Sequence, residues 1–125
     1  MSTRFKLDEG RKRIIVTVLP QPRTTTVADT VISLLEQRAE VGAWDWIFDI
    51  RVPHAKATPD ELDRIAAAFN AVRSKQSYTI FVSDDPIAHE RCRIMDTKFL
   101  DRRHLVASTM RAATALIPRT MAPVY

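Results

Sequence analysis

The chain reads as a single α/β domain: a mixed, mainly parallel five-stranded sheet with about four helices, in the order β-β-α-β-α-β-α-β-α. Three observations carry this reading. Short runs rich in β-branched and aromatic residues alternate with stretches whose apolar residues recur every three or four positions, the pattern of βαβ units. Two of those stretches open on strong helix-start signals, Thr26 with Asp29 and Thr58-Pro59-Asp60-Glu61. A length of 125 residues suits one domain with a real core and no need of disulfides or metals.

The elements follow in order. Phe5 and Leu7 begin a short strand, and Asp8-Glu9-Gly10 is a turn signal. Arg13 to Leu19 is a second strand that pairs antiparallel with the first. Ile14, Val16 and Val18 share one face, and Ile15, Thr17 and Leu19 share the other. Apolar residues on both faces predict a central strand covered on both sides. Thr26 caps a helix packed through Val27, Val31, Leu34, Leu35 and Arg38, and Gly42 ends that segment. Trp44 to Ile50 is the third strand, with Trp44, Trp46, Phe48 and Ile50 on one face and Asp45, Ile47 and Asp49 on the other. Thr58 fits an N-cap, Pro59 the first helical position, and Glu61 completes a capping box. Leu62, Ile65, Ala66, Phe69 and Val72 form the stripe of that helix.

Tyr78 to Ser83 is the fourth strand. Asp85, as N-cap before Pro86, starts a third helix whose inward face carries Ala88, Cys92, Met95 and Phe99. A short strand, His104 to Ala107, precedes a last helix capped by Ser108 and packed through Ala112, Ala113, Leu116 and Ile117. The domain is expected to span residues 1–117, with 118–125 as a patternless tail.

Composition excludes several functions. With two glycines, Gly10 and Gly42, neither a phosphate-cradling loop nor a dinucleotide fingerprint can be built. One cysteine, Cys92, forms no internal disulfide, which fits a reduced, cytoplasmic setting. The start MSTRFKLDEGRKR lacks the apolar region of a secretory signal. No apolar run approaches the roughly 18 residues of a membrane span. The net charge is +4, with the 19 basic residues spread among 15 acidic ones. Without a dense basic run or an aromatic-basic motif, no specific nucleic-acid partner is expected. No cofactor is expected either.

This arrangement resembles the STAS-like superfamily, and more narrowly its small bacterial stand-alone members. The residues that carry the resemblance are the opening hairpin, Phe48-Asp49-Ile50-Arg51 and Thr58-Pro59-Asp60-Glu61-Leu62. They continue with Val82-Ser83-Asp84, Arg93-Ile94-Met95 and the short strand before the Ala112-Ala113 helix. The resemblance implies a non-catalytic regulatory module that binds a protein partner, and a homodimer is compatible with it. Anti-sigma antagonists of this family carry a phosphorylated serine where the third-strand loop meets the next helix, which is Ala57-Thr58-Pro59 here. The family's Asp-Ser-Ser-Gly signature is absent, and Thr58 is committed to the cap.

Ligands of open α/β sheets sit outside the carboxyl ends of the strands. The candidate binding residues are therefore Asp49, Arg51, His54, Lys56 and Ser83. They suit a small ligand or an anion near the start of the second helix, although the capping box uses the same N–H donors. Asp84 and Asp49 could meet at that edge around a cation. His54, His89 and His104 pair with neither each other nor Cys92 at metal-ligand spacing. Cys92 falls on an inward face, where it packs as a small hydrophobe. Arg91, Arg93, Arg102 and Arg103 read as a solvated basic face. No catalytic constellation is present, so no enzymatic activity is expected; acid–base chemistry at Asp49 or His54 lacks a positioned partner.

Overall fold

A computed structural model of the protein describes residues 2–19, 26–50, 58–73 and 76–117. The strands are β1 (Ser2–Asp8), β2 (Arg13–Leu19), β3 (Asp45–Ile50), β4 (Ser77–Val82) and β5 (Arg102–Ala107). The helices are α1 (Val27–Gln37), α2 (Pro59–Asn70), α3 (Ala88–Lys98) and α4 (Met110–Leu116). The sheet order is β1-β2-β3-β4-β5, with β1 antiparallel to β2 and every later pair parallel. Element order and sheet type are as the sequence predicts.

Sequential order has a steric consequence. Parallel connections in one sheet are right-handed. If each connection also steps to the next strand in the same direction, all the crossing helices must lie on one face. The core obeys this. One cluster joins Ile14, Val16, Val18, Trp46 and Phe48 of the sheet to Val31 and Leu35 of α1, Ala66 and Phe69 of α2, and Cys92 and Met95 of α3. A second cluster, on the other face, joins Ile47 and Ile80 to Ala107, Ala113 and Ile117. Three helices therefore cover one face and α4 alone covers the other. That corrects the expectation for β2. Its Ile14, Val16 and Val18 are fully buried, while Arg13, Ile15, Thr17 and Leu19 stay partly open because α4 packs over β3 to β5.

Caps explain most helix boundaries. The Thr26 hydroxyl accepts from the Asp29 N–H at 3.1 Å. The Thr58 hydroxyl accepts from the Glu61 N–H at 3.2 Å, and Glu61 Oε1 accepts from the Thr58 N–H at 2.9 Å, closing the predicted capping box. Three starts or stops differ from expectation. Asp85 does not cap α3: its carboxylate accepts from the Ile87 N–H at 3.0 Å, forming a turn with Pro86 that delays the helix to Ala88. Thr109, not Ser108, caps α4, accepting from the Ala112 N–H at 3.0 Å. Helix α1 ends at Gln37, and a separate 3-10 turn over Ala39–Ala43 carries Gly42. A Cβ on Gly42 would meet Val72 at 3.0 Å, so this glycine serves close packing against the end of α2 more than helix termination. Arg38 leaves the core face of α1 to pair with Glu9 and Glu40, its guanidinium 5.5 Å from the Trp44 ring centre. In the β1–β2 turn the left-handed residue is Lys12 (φ 52°) and not Gly10, with Asp8 accepting from the Arg11 N–H at 3.0 Å.

Two outcomes follow from this packing. Phe69 is buried against Trp46, Phe99 and the Arg102 guanidinium. Phe69→Ala is expected to cost about 3–5 kcal/mol in denaturant unfolding; an unchanged midpoint would contradict the packing. Thr58→Ala is expected to cost about 0.5–2 kcal/mol as a lost cap. Thr58→Asp is expected to be tolerated, since aspartate caps well and suits the helix dipole. Equal losses in the two variants would show that Thr58 matters for something other than its cap.

Candidate functional site

The strand register arranges the three-helix face in rows across the sheet. The first row is Leu7–Ile14–Trp46–Thr79–His104, the second Phe5–Val16–Phe48–Phe81–Val106, and the third includes Val18 and Ile50. On β3, β4 and β5 burial falls along this sequence of rows, while Ile14, Val16 and Val18 of β2 stay covered throughout. Ile14 and Trp46 are completely covered, and Thr79 and His104 nearly so. Phe81 and Val106 are only half-buried, as are Ile50 and Ser83 at the carboxyl end. The helices tell the same story. In α2 the stripe is buried at Ala66 and Phe69 but open at Leu62 and Ile65; in α3 it is buried at Cys92 and Met95 but open at Ala88. Sheet and helices pack tightly at the amino end of the parallel strands and part toward the carboxyl end.

The space between them is a cavity of about 420 Å³. Val18, Phe48, Ile50 and Phe81 form its floor, and α1, α2 and α3 contribute Val31, Leu62, Ile65 and Met95. Polar groups are few. Thr26, Glu61, Ser83, Asp85 and Arg91 come from the strand and helix ends at the carboxyl edge, and Thr79 and His104 from the first row.

His104 is the deepest titratable group there. Its ring lies 4.5 Å from Phe99 and 6.4 Å from Phe81, centre to centre, and is 3% exposed. Asp96 on α3 holds it: Asp96 Oδ1 lies 2.9 Å from His104 Nδ1 and accepts the His104 backbone N–H at 2.7 Å. Burial pushes the imidazole down to about 4, against the opposing pull of Asp96. His104 is therefore neutral at pH 7. A carboxylate oxygen only accepts, so the proton sits on Nδ1 and Nε2 carries a lone pair.

The sequence-predicted residues are only partly gathered. Ser83 lines the cavity, its hydroxyl accepting the Asp85 N–H at 3.1 Å. Asp49 is buried on the opposite face of β3 with Ile47, so the sheet separates it from Ser83. Arg51, His54 and Lys56 lie outside the described residues. Among the described residues no three His, Cys, Asp or Glu side chains gather as a metal site. Burial pushes the Cys92 thiol up to about 12, with Asp96 adding to the shift, so it stays protonated and poorly nucleophilic.

The basic face predicted for Arg102 is overturned. Arg102 is buried, and its guanidinium donates to the carbonyls of Tyr78, Gly42 and Trp44 at 2.9, 2.9 and 2.7 Å and to the Thr79 hydroxyl at 3.0 Å. The strand begins at Arg102, two residues before the expected His104, and alternation along it puts Arg102 and His104 on one buried face. A polar residue on such a face must find partners.

Histidine linkage gives a pH prediction. The unfolded chain titrates His104 near 6.5 and the folded protein near 4, so between these values the unfolded state binds more protons. Stability is then complete above about pH 6.5 and falls as the pH drops, by on the order of 3 kcal/mol in full and about 2 kcal/mol by pH 5. Denaturant unfolding at pH 7 and pH 5 checks this against His104→Phe, which should lose that share of the slope. Equal slopes would contradict a buried neutral histidine.

Comparison with family models, with curated proteins and with solved structures yields no match to this chain.

Proposed function

We propose that this chain is a small-ligand-binding regulatory module, non-catalytic and of STAS-like type, that takes an apolar molecule between the sheet and helices α1 to α3. The cavity carries this reading. Its volume of about 420 Å³ falls within the roughly 300–1,000 Å³ of small-molecule sites. Its walls are mainly aliphatic and aromatic, with a few polar groups, the composition such sites share. The charged groups at the carboxyl edge favour a neutral occupant over an anion. Thr26 and Thr58 already cap the N-termini of α1 and α2, and Glu61 and Asp85 add negative charge beside Arg91. Occupancy would bear on three helices at once, which gives a protein partner a surface on which to read the bound state.

Thermal unfolding with a panel of small neutral aromatic compounds tests the proposal. A compound present at 100 times its dissociation constant adds about 2.7 kcal/mol, several degrees in Tm for a domain of this size. Ile65→Trp fills the cavity from α2 and is expected to leave the free protein folded while abolishing the shift. A wild-type protein that no compound stabilises would refute the reading, as would shifts of equal size in the Trp variant.

A further inference from the structure

We propose that the ligand is a neutral apolar molecule bearing a hydroxyl group, best met by a phenol, which donates its hydrogen bond to His104 Nε2 at the inner end of the cavity. This rests on the ligand-binding reading above and names the chemistry of its occupant.

The imidazole has a fixed orientation. Asp96 accepts the hydrogen bond from Nδ1–H, and the Phe81 and Phe99 rings pack against the imidazole. Nε2 has no hydrogen-bond partner among the described residues, yet it is not sealed among them, because the ring borders the cavity. An acceptor in such a place is met by a donor that enters the cavity, solvent in the free protein or a ligand group in the complex. Among the described residues no side chain donates to it; the neighbouring Thr79 hydroxyl bonds Arg102 Nη1 and not His104. A ligand donor would satisfy it.

The surroundings restrict that donor. An ammonium group would lose its hydration in an apolar space and face the positive charge of Arg102, which already disfavours a second positive charge on His104. A carboxylate brings no proton to donate, both terminal nitrogens of Arg102 are already bonded to the protein, and Arg102 does not line the cavity. A neutral hydroxyl avoids both penalties. Phe48, Phe69, Phe81 and Phe99 line the same space, and their rings suit an aromatic body, which makes a phenol the best fit.

The experiment compares 4-propylphenol with its methyl ether, 4-propylanisole, by calorimetric titration of the wild type, His104→Asn and His104→Phe. Asparagine keeps a donor toward Asp96 and removes the Nε2 acceptor. Phenylalanine keeps the aromatic packing. The wild type is expected to bind the phenol about five- to tenfold more tightly than the ether. In whichever variant folds, that preference falls to within about twofold, while the ether keeps its affinity. Nitrogen NMR of the wild type gives a readout free of any variant: the Nε2 resonance of His104 shifts with the phenol and not with the ether. If the ether binds as tightly as the phenol, the hydroxyl assignment falls and the cavity reading stands. A phenol preference that survives loss of the imidazole, or an Nε2 resonance indifferent to the phenol, also overturns the assignment. If neither compound binds the wild type, the assignment falls together with the cavity reading.

Discussion

The one-sided helix layer is the constraint from which the rest of this structure follows. Four parallel strands in sequential order, joined by connections of one hand, leave α1, α2 and α3 no choice of face. Three helices must then share the width of four strands. They need large side chains beneath them, and the sheet supplies Trp46, Phe48 and Phe81, whose rings stack in turn at 5.9 and 5.2 Å. In a doubly wound sheet a crevice opens where the strand order reverses. Among the parallel strands here the order never reverses, so no such crevice exists. Space for a ligand arises instead between the layers, where helices and sheet part.

The parting is asymmetric because one end is fastened. At the amino end of the parallel strands, Arg102 crosses beneath β3 and β4 to bond the carbonyls of Gly42, Trp44 and Tyr78, with its guanidinium 4.6 Å from the Phe69 ring centre. Burial pushes it down to about 10, leaving it charged at neutral pH. Asp45 faces it electrostatically; burial raises the Asp45 carboxyl, while the Tyr78 N–H at 2.9 Å opposes that rise. A buried charge without partners would be ruinous, so four hydrogen bonds to fixed acceptors impose one arrangement on this end. Ser77, donating to the Ala43 carbonyl at 2.7 Å, and the Trp46 indole, donating to the Val41 carbonyl at 2.9 Å, add to the same closure. Surface pairs such as Arg64–Asp29 and Lys98–Asp63 tie the helices to one another, and exposed pairs contribute little.

Local signals made most of the fold legible. Alternation in RIIVTVL and the capping box at Thr58 act within a few residues, and both survive folding unchanged. What escaped depends on distant partners. Asp85 looks like a cap until Pro86 and Ile87 are seen to occupy its turn. Arg102 reads as one of four surface arginines, because its acceptors come from chain about sixty residues away. The candidate site divides in the same way. Ser83, at a strand end, lines the cavity. Asp49 lies across the sheet from it, because a residue near the carboxyl end of a strand can face either side, and the side the helices cover is set by where they cross. The cavity itself left a faint trace, since the stripes of α2 and α3 look continuous in sequence whether or not their first turns reach the sheet.

Those first turns connect stability to binding. Leu62, Ile65 and Ala88 have the apolar character of core residues without the burial of one. Their hydrophobic contribution is only partly realised in the free protein, because burial stabilises in proportion to the apolar area withdrawn from water. A ligand of matching shape would supply the missing contacts. The gain would fall on the end of the layer that Arg102 does not fasten, leaving the fastened end undisturbed. On the proposed reading, a closed end that holds the fold lets a domain this small keep an open end for a guest. Filling the space with protein side chains would stabilise the same helices and remove the reason for their separation.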